Sequence, residues 1–266
     1  MTTLIEQLIG LAFLFVAAFI GGAINSVAGG GSLIAFPALV VFGVDKIIAN
    51  ATNTAALWPG TIGSVWAYRE DLKPLVNLLI LLLVPSFVGG LLGALLLTRT
   101  PPELFGRIVP LLVLFATLIF AARDVFNRIA ARSVEAMRRA DDGHVSLGAR
   151  IWGILFQLFV ATYGGYFGAG IGILMLASLS LMGLQDIHRM NALKTALAFV
   201  INGVALVFFA LSGIVNWPLA ILMGAGGLLG GYFGARYAKR VNQRYLRGFV
   251  VVMGLVATAY LFTRSL

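Results

Sequence analysis

The chain repeats itself at a distance of 141 residues. That shift superimposes Gly29 on Gly170, Gly31 on Gly172, Asp45 on Asp186, Asn50 on Asn191, and Thr54-Ala55 on Thr195-Ala196. It also carries Gly89-Gly90 and Gly93 onto Gly230-Gly231 and Gly234. A membrane chain built from two copies of one unit usually places its working site between them.

Composition identifies the solvent. Of 266 residues, 60% are hydrophobic and 11% charged, against roughly a quarter charged in soluble domains. Mean hydropathy is +0.99. Long uncharged runs recur throughout, so the sequence predicts an all-α polytopic membrane protein. An outer-membrane barrel would instead show alternating segments of about ten residues. With no cysteine, disulfides and thiolate metal sites are excluded. The N-terminus holds Glu6 and no early Lys or Arg, so its first apolar stretch reads as a retained membrane segment rather than a secretory signal. The net charge of +9 would raise nucleic acid as the partner of a soluble protein. Here the basic residues lie mostly in short loops, where they orient the chain and meet anionic lipid. The lipid bilayer is the expected partner, and nucleic acid is not.

Five apolar segments fall in each half, at about 4–27, 32–44, 47–68, 74–98 and 104–122, then 150–168, 171–184, 188–212, 216–236 and 246–263. This gives a first membrane repeat over 1–123, a basic loop over 124–149 and a second membrane repeat over 150–266. If the segments alternate in direction, fourteen basic residues collect on the side of the central loop. The other side keeps only Lys46, Arg99, Arg107 and Arg264. That bias predicts a cytoplasmic central loop and two periplasmic termini, in a bacterial inner membrane. An odd number of segments per half also makes the repeats inverted, as in many secondary transporters.

The second segment of each half is short. About 13 residues cover roughly 20 Å, less than the hydrocarbon core of about 30 Å. Gly29-Gly30-Gly31-Ser32 precedes it in one half and Gly168-Ala169-Gly170-Ile171-Gly172 in the other. Such runs predict helices broken near the midplane, where irregular backbone is tolerated only inside protein or beside a water-filled cavity. Close packing through small residues would give the same pattern. It is the preferred reading of Gly89-Gly90-x-x-Gly93 and of the glycines from Gly226 to Gly234. Those faces would also suit a homodimer.

The third segments open at Asp45 and Asp186, which read as helix caps. Asn50 and Thr54 share a face, as do Asn191 and Thr195. Asn53 and Lys194 lie beside those stripes. They either line a cavity or bridge helices as polar glue. Lys194 lies well inside an apolar segment, where insertion costs about 2.5–3.5 kcal/mol. It either snorkels to the interface or faces a buried anion site. Arg189 is either a second such group or an interfacial anchor. Tyr163 and Tyr166 precede a glycine break, so one of them is a candidate lining residue. Away from the interfaces and caps, the apolar segments hold no carboxylate. Amides, hydroxyls, Lys194 and glycine-rich backbone N–H groups favour an anion over a cation. No HExxH, Walker lysine loop or Ser-His-Asp set appears, so neither an enzyme nor a cofactor is expected.

The two motif copies resemble the TauE/SafE sulfite exporter family of membrane permeases. The first copy is Gly29-Gly30-Gly31-Ser32-Leu33-Ile34 with Ala49-Asn50-Ala51-Thr52-Asn53-Thr54. The second is Gly168-Ala169-Gly170-Ile171-Gly172 with Asn191-Ala192-Leu193-Lys194-Thr195. The resemblance covers nearly the whole chain. It implies a carrier for a small anionic substrate, a sulfur oxyanion or organosulfonate such as sulfite or sulfoacetate. Candidate binding residues are Asn25, Ser26, Gly29, Gly30, Gly31, Ser32, Asn50, Asn53, Thr54, Tyr163, Gly170, Gly172, Arg189, Asn191, Lys194 and Thr195. The rival readings are an anion channel, a membrane enzyme, and a permease of the same fold for a carboxylate or a metal cation.

Overall fold

The computed structural model describes residues 4–27, 30–122, 147–182, 184, 186–237 and 243–264. Among them every regular element is a helix. The first half contains α1 (Leu4–Val27), α2 (Ser32–Val41), α3 (Lys46–Leu57), α4 (Pro59–Ala67) and α5 (Arg69–Leu72). A 3-10 turn (Lys73–Leu75), α6 (Val76–Arg99) and α7 (Pro102–Ala121) complete it. The second half contains α8 (Leu147–Tyr166), α9 (Ile171–Leu181), α10 (Ile187–Leu211), α11 (Trp217–Tyr237) and α12 (Gln243–Thr263). Most of the 124–149 loop lies outside the described residues.

The internal repeat reappears in the element boundaries. Adding 141 to Lys46, Val76 and Pro102, which begin α3, α6 and α7, gives Ile187, Trp217 and Gln243. Those residues begin α10, α11 and α12. Contacts between helices exchange partners in the same way. The first helix of each half packs on the last but one of the other, α1 on α11 and α8 on α6. The third elements follow suit, α3 on α11 and α10 on α6, while α7 and α12 pack on each other.

Among the described residues, six stretches are long and apolar enough to cross a bilayer: Leu4–Ser26, Arg69–Arg99, Pro102–Ala121, His188–Leu211, Trp217–Gly234 and Tyr245–Thr263. Their outward faces carry Leu8, Phe13, Val84, Phe87, Leu118, Ile221 and Val252, all exposed. Asn50, Thr52, Asn53, Ser86, Thr117 and Gln157 are buried instead. A molecule with apolar residues outside and amides and hydroxyls inside has lipid as its solvent.

Glycine sets how closely the helices cross. On α11, a Cβ at Gly230 would collide with the Phe19 carbonyl of α1, and one at Gly234 would sit 2.6 Å from Ala23 Cα. Their counterparts on α6 meet α8 equivalently. Gly89 lies against Leu158 and Ala161, and Gly93 against Thr162 and Tyr166. Beside one of these crossings, the Gln157 side-chain amide donates to Ser86 Oγ at 2.9 Å. Both residues are fully buried.

Aspartates start the third elements. Asp45 Oδ1 accepts from the backbone N–H groups of Ile47 (2.9 Å) and Ile48 (3.3 Å). Asp186 Oδ1 accepts from His188 (2.8 Å) and Arg189 (3.3 Å). Those amides, aided by the nearby Arg189 charge, hold the Asp186 carboxyl below its ordinary range. The cap is therefore intact at neutral pH and is lost only as pH falls through that lowered value. Replacing Asp45 with alanine is expected to cost about 1 kcal/mol, read as a lower melting temperature in detergent. An unchanged melting curve would mean that water satisfies those amides equally well.

One boundary differs from the sequence reading. The segment expected at 47–68 divides at Trp58-Pro59, whereas its counterpart α10 runs unbroken from Ile187 to Leu211. Proline has no N–H to continue the ladder, and its ring crowds the preceding turn. Shifting Pro59 by 141 gives Val200, which imposes neither restraint.

Candidate functional site

The short helices α2 and α9 build the site. Their 10 and 11 residues rise only about 15–17 Å, too little to cross the hydrocarbon. From Leu33 to Leu39, α2 is wholly buried, so its middle meets protein rather than lipid. The chain before α9 turns through Gly168 and Gly170, both at φ +79°. That left-handed geometry favours glycine. Tyr163 braces the turn by donating its hydroxyl proton to the Ala169 carbonyl at 2.8 Å.

Two residues related by the shift of 141 meet where the halves join. The Trp58 indole N–H donates to the Phe199 carbonyl at 3.0 Å. The rings stack with centroids 4.9 Å apart and planes 21° apart. Gly203 makes room, since a Cβ there would sit 3.1 Å from the indole nitrogen.

Beside Trp58 lies a cavity of about 150 Å³. The volume suits a few-atom ligand and is well below the roughly 300–1,000 Å³ typical of drug-sized sites. From the first half come Asn25 at the end of α1, Ser32 at the start of α2, and Asn53 and Thr54 on α3, with Gly30 between α1 and α2. The second half supplies Gly170, Gly172, Lys194 and Thr195. All nine were candidates from sequence. Among the described residues, Lys194 is the only ionisable one lining the cavity. Its ammonium donates to Asn191 Oδ1 at 2.9 Å, and its stem lies over Gly172, where a Cβ would come within 3.3 Å of Cδ.

The other candidates lie off the cavity wall. Asn50 is buried and donates its amide N–H to the Tyr166 carbonyl at 2.9 Å. Asn191 holds the Lys194 ammonium. Gly31 packs on the Gly21 backbone. Ser26 donates to the Ala23 carbonyl at 2.8 Å. Arg189 is exposed, 3.7 Å from the Asp186 carboxylate. Tyr163 is the brace already described, and Tyr166 places its hydroxyl 3.3 Å from Thr100 Oγ1. Gly29 lies outside the described residues.

Sequence reasoning passed over Trp58, Thr61, Ser64, Phe167, Gly168 and Asn202, which also line the cavity. A signal existed for two of them. Thr61 is seven residues past Thr54, and Asn202 is seven past Thr195. Two helical turns keep each pair on one face, and the shift of 141 exchanges Thr61 with Asn202.

The wall can present hydroxyl and amide groups from both halves, one ammonium, and the backbone at two glycine breaks. Among the described residues no group of three His, Asp or Glu side chains could hold a metal ion. Broken helices around a small polar cavity inside an apolar bundle are the arrangement of a membrane transporter. The chain belongs to the sulfite exporter TauE/SafE family, whose model matches residues 14–261.

Curated relatives agree on the class. A probable membrane transporter protein of Haemophilus influenzae is 29% identical over 94% of this chain and 93% of its own. The probable membrane transporter protein ORF9 of Sinorhizobium sp is 29% identical over 92% of this chain and 89% of its own. The probable membrane transporter protein YfcA of Escherichia coli K12 is 29% identical over 96% of this chain and 90% of its own. No solved structure matches this chain.

Proposed function

We propose that the protein is a secondary transporter for a small sulfur oxyanion or organosulfonate, such as sulfite or sulfoacetate. The observation that carries this reading is Lys194, among the described residues the one ionisable side chain lining a cavity otherwise walled by neutral groups. Inside a low-dielectric bundle, one fixed positive charge strongly favours an anionic guest. Hydroxyl and amide donors of Ser32, Asn53, Thr195 and Asn202 suit a compact cluster of oxygens. The name of the matching family, sulfite exporter, points to the same chemistry.

Transport follows from two halves related by inversion. Rocking one bundle against the other about the Trp58–Phe199 contact would expose the cavity to each face in turn. The charge bias of the loops supports an inner-membrane orientation with the central loop cytoplasmic and both ends periplasmic.

Two measurements test this. Proteoliposomes loaded with sulfite should exchange it for labelled sulfite or sulfoacetate, with saturation and without ionic current. Exchange restricted to carboxylates would replace the substrate class, and unsaturable current would indicate an anion channel. The natural absence of cysteine also allows single cysteines to be placed at Thr2 and Ser265. Labelling of either from the cytoplasm alone would overturn the orientation.

A further inference from the structure

At one pair of equivalent positions inside the bundle, the two halves differ by a charge. On α10, the Asn191 side-chain oxygen is satisfied by the Lys194 ammonium three residues on, at 2.9 Å. The shift of 141 replaces that pair with Asn50 and Asn53 on α3. Asn50 and Asn53 are 1% and 2% exposed, and neither side-chain oxygen has a hydrogen-bond partner. Asn50 cannot resolve this by turning its amide over. Its nitrogen donates to the Tyr166 carbonyl, and a flip would set two oxygens against each other.

Buried polar atoms without partners are rare and need an explanation. Two unpartnered carbonyl oxygens on residues three apart in α3, in a half lacking the ammonium found in the other, are short of one positive charge. We propose that a sodium ion fills that place. Asn50 Oδ1, Asn53 Oδ1 and Ser32 Oγ would bind it. Ser32 already accepts from the Asn53 amide nitrogen at 3.2 Å, leaving a lone pair for a cation. The last turn of α1 adds to the attraction. It ends beside the cavity at Asn25, and the carbonyls closing a helix carry partial negative charge. Unwound backbone and half-helix C-terminal ends serve such ions in other transporters built from repeats.

The donor set selects the ion. Oxygen ligands suit hard cations. With no carboxylate among them, they cannot neutralise a divalent ion, and desolvating one would not be compensated. A monovalent ion in the first half and the Lys194 ammonium in the second would make the cavity nearly symmetric in charge. The sodium ion would then offset an anion sharing the cavity. This coupling role rests on the transporter reading above; sodium binding itself does not.

Binding of 22Na+ to the purified chain in detergent, without any oxyanion, is the test. Wild type should bind it saturably, with displacement by unlabelled Na+ and not by Ca2+. Asn53→Lys places a tethered ammonium where the ion would sit, as Lys194 does in the other half. It should abolish saturable binding and keep its melting temperature in Na+-free buffer. Should that variant misfold, Asn53→Ala removes one ligand and should weaken binding about tenfold or more. Wild-type affinity in a folded Asn53→Lys or Asn53→Ala protein, or no saturable binding by wild type, overturns the site. Sulfite exchange surviving without sodium binding would sink this inference alone. Sodium binding without sulfite exchange would sink only the substrate class.

Discussion

Replacing Gly230 with leucine is expected to abolish the folded protein. The position lies where α11 crosses α1, and even one added carbon would overlap the Phe19 carbonyl. Backbone cannot yield as the tip of a flexible side chain can, so the helices must separate. The damage would spread, because α11 also packs on α3, which carries Asn53 and Thr54. Overpacking in a well-filled core typically costs about 1–3 kcal/mol. A rigid crossing with no room for the first atom should exceed that. The reading is the monodisperse peak of detergent-solubilised protein, which should vanish for Gly230→Leu. Gly248→Ala is the control. It lies on α12, with nothing near the added carbon, and alanine gains up to about 1 kcal/mol of helix propensity. A well-folded Gly230→Leu protein would show that α1 and α11 do not meet as closely as described.

Lys194→Ala is expected to leave a folded protein that scarcely moves its substrate. Hydrogen bonds to charged groups contribute about 1.5–3 kcal/mol, so exchange at low substrate concentration should fall about 10- to 100-fold. Asn191 Oδ1 loses its ammonium partner, so a modest drop in melting temperature should accompany the loss. Lys194→Arg should recover only part of the flux. A planar fork is a poor substitute for a compact ammonium, and the cavity is small. Wild-type flux in Lys194→Ala would remove the fixed charge from substrate binding.

Much of the site was readable because it is written twice. Asn50-x-x-Asn53-Thr54 and Asn191-x-x-Lys194-Thr195 stand at equal distance from capping aspartates, so helical spacing alone puts them on comparable faces. The glycine breaks were legible for the same reason, since one glycine run is ambiguous and two in register are not. Tyr163 and Arg189 were harder to place. Each is polar and lies near a break or cap, and only contacts show one bracing a turn and the other pairing with Asp186. Trp58 was hidden by its residue type. Aromatics near segment ends usually anchor at the interface, and nothing local says that this indole reaches across to Phe199.

By itself, the sequence determined an all-helical chain in lipid, two copies of one unit, the capped third elements and the single lysine within an apolar run. These follow from hydropathy, helical period and backbone chemistry, which act over a few neighbouring residues. Only the tertiary structure decided which groups share a wall: Asn25 with Lys194, Thr61 with Asn202, and Trp58 stacked on its own counterpart. Such meetings join residues more than a hundred positions apart. They depend on how closely glycine lets whole helices approach, a property of two surfaces together that neither segment carries alone.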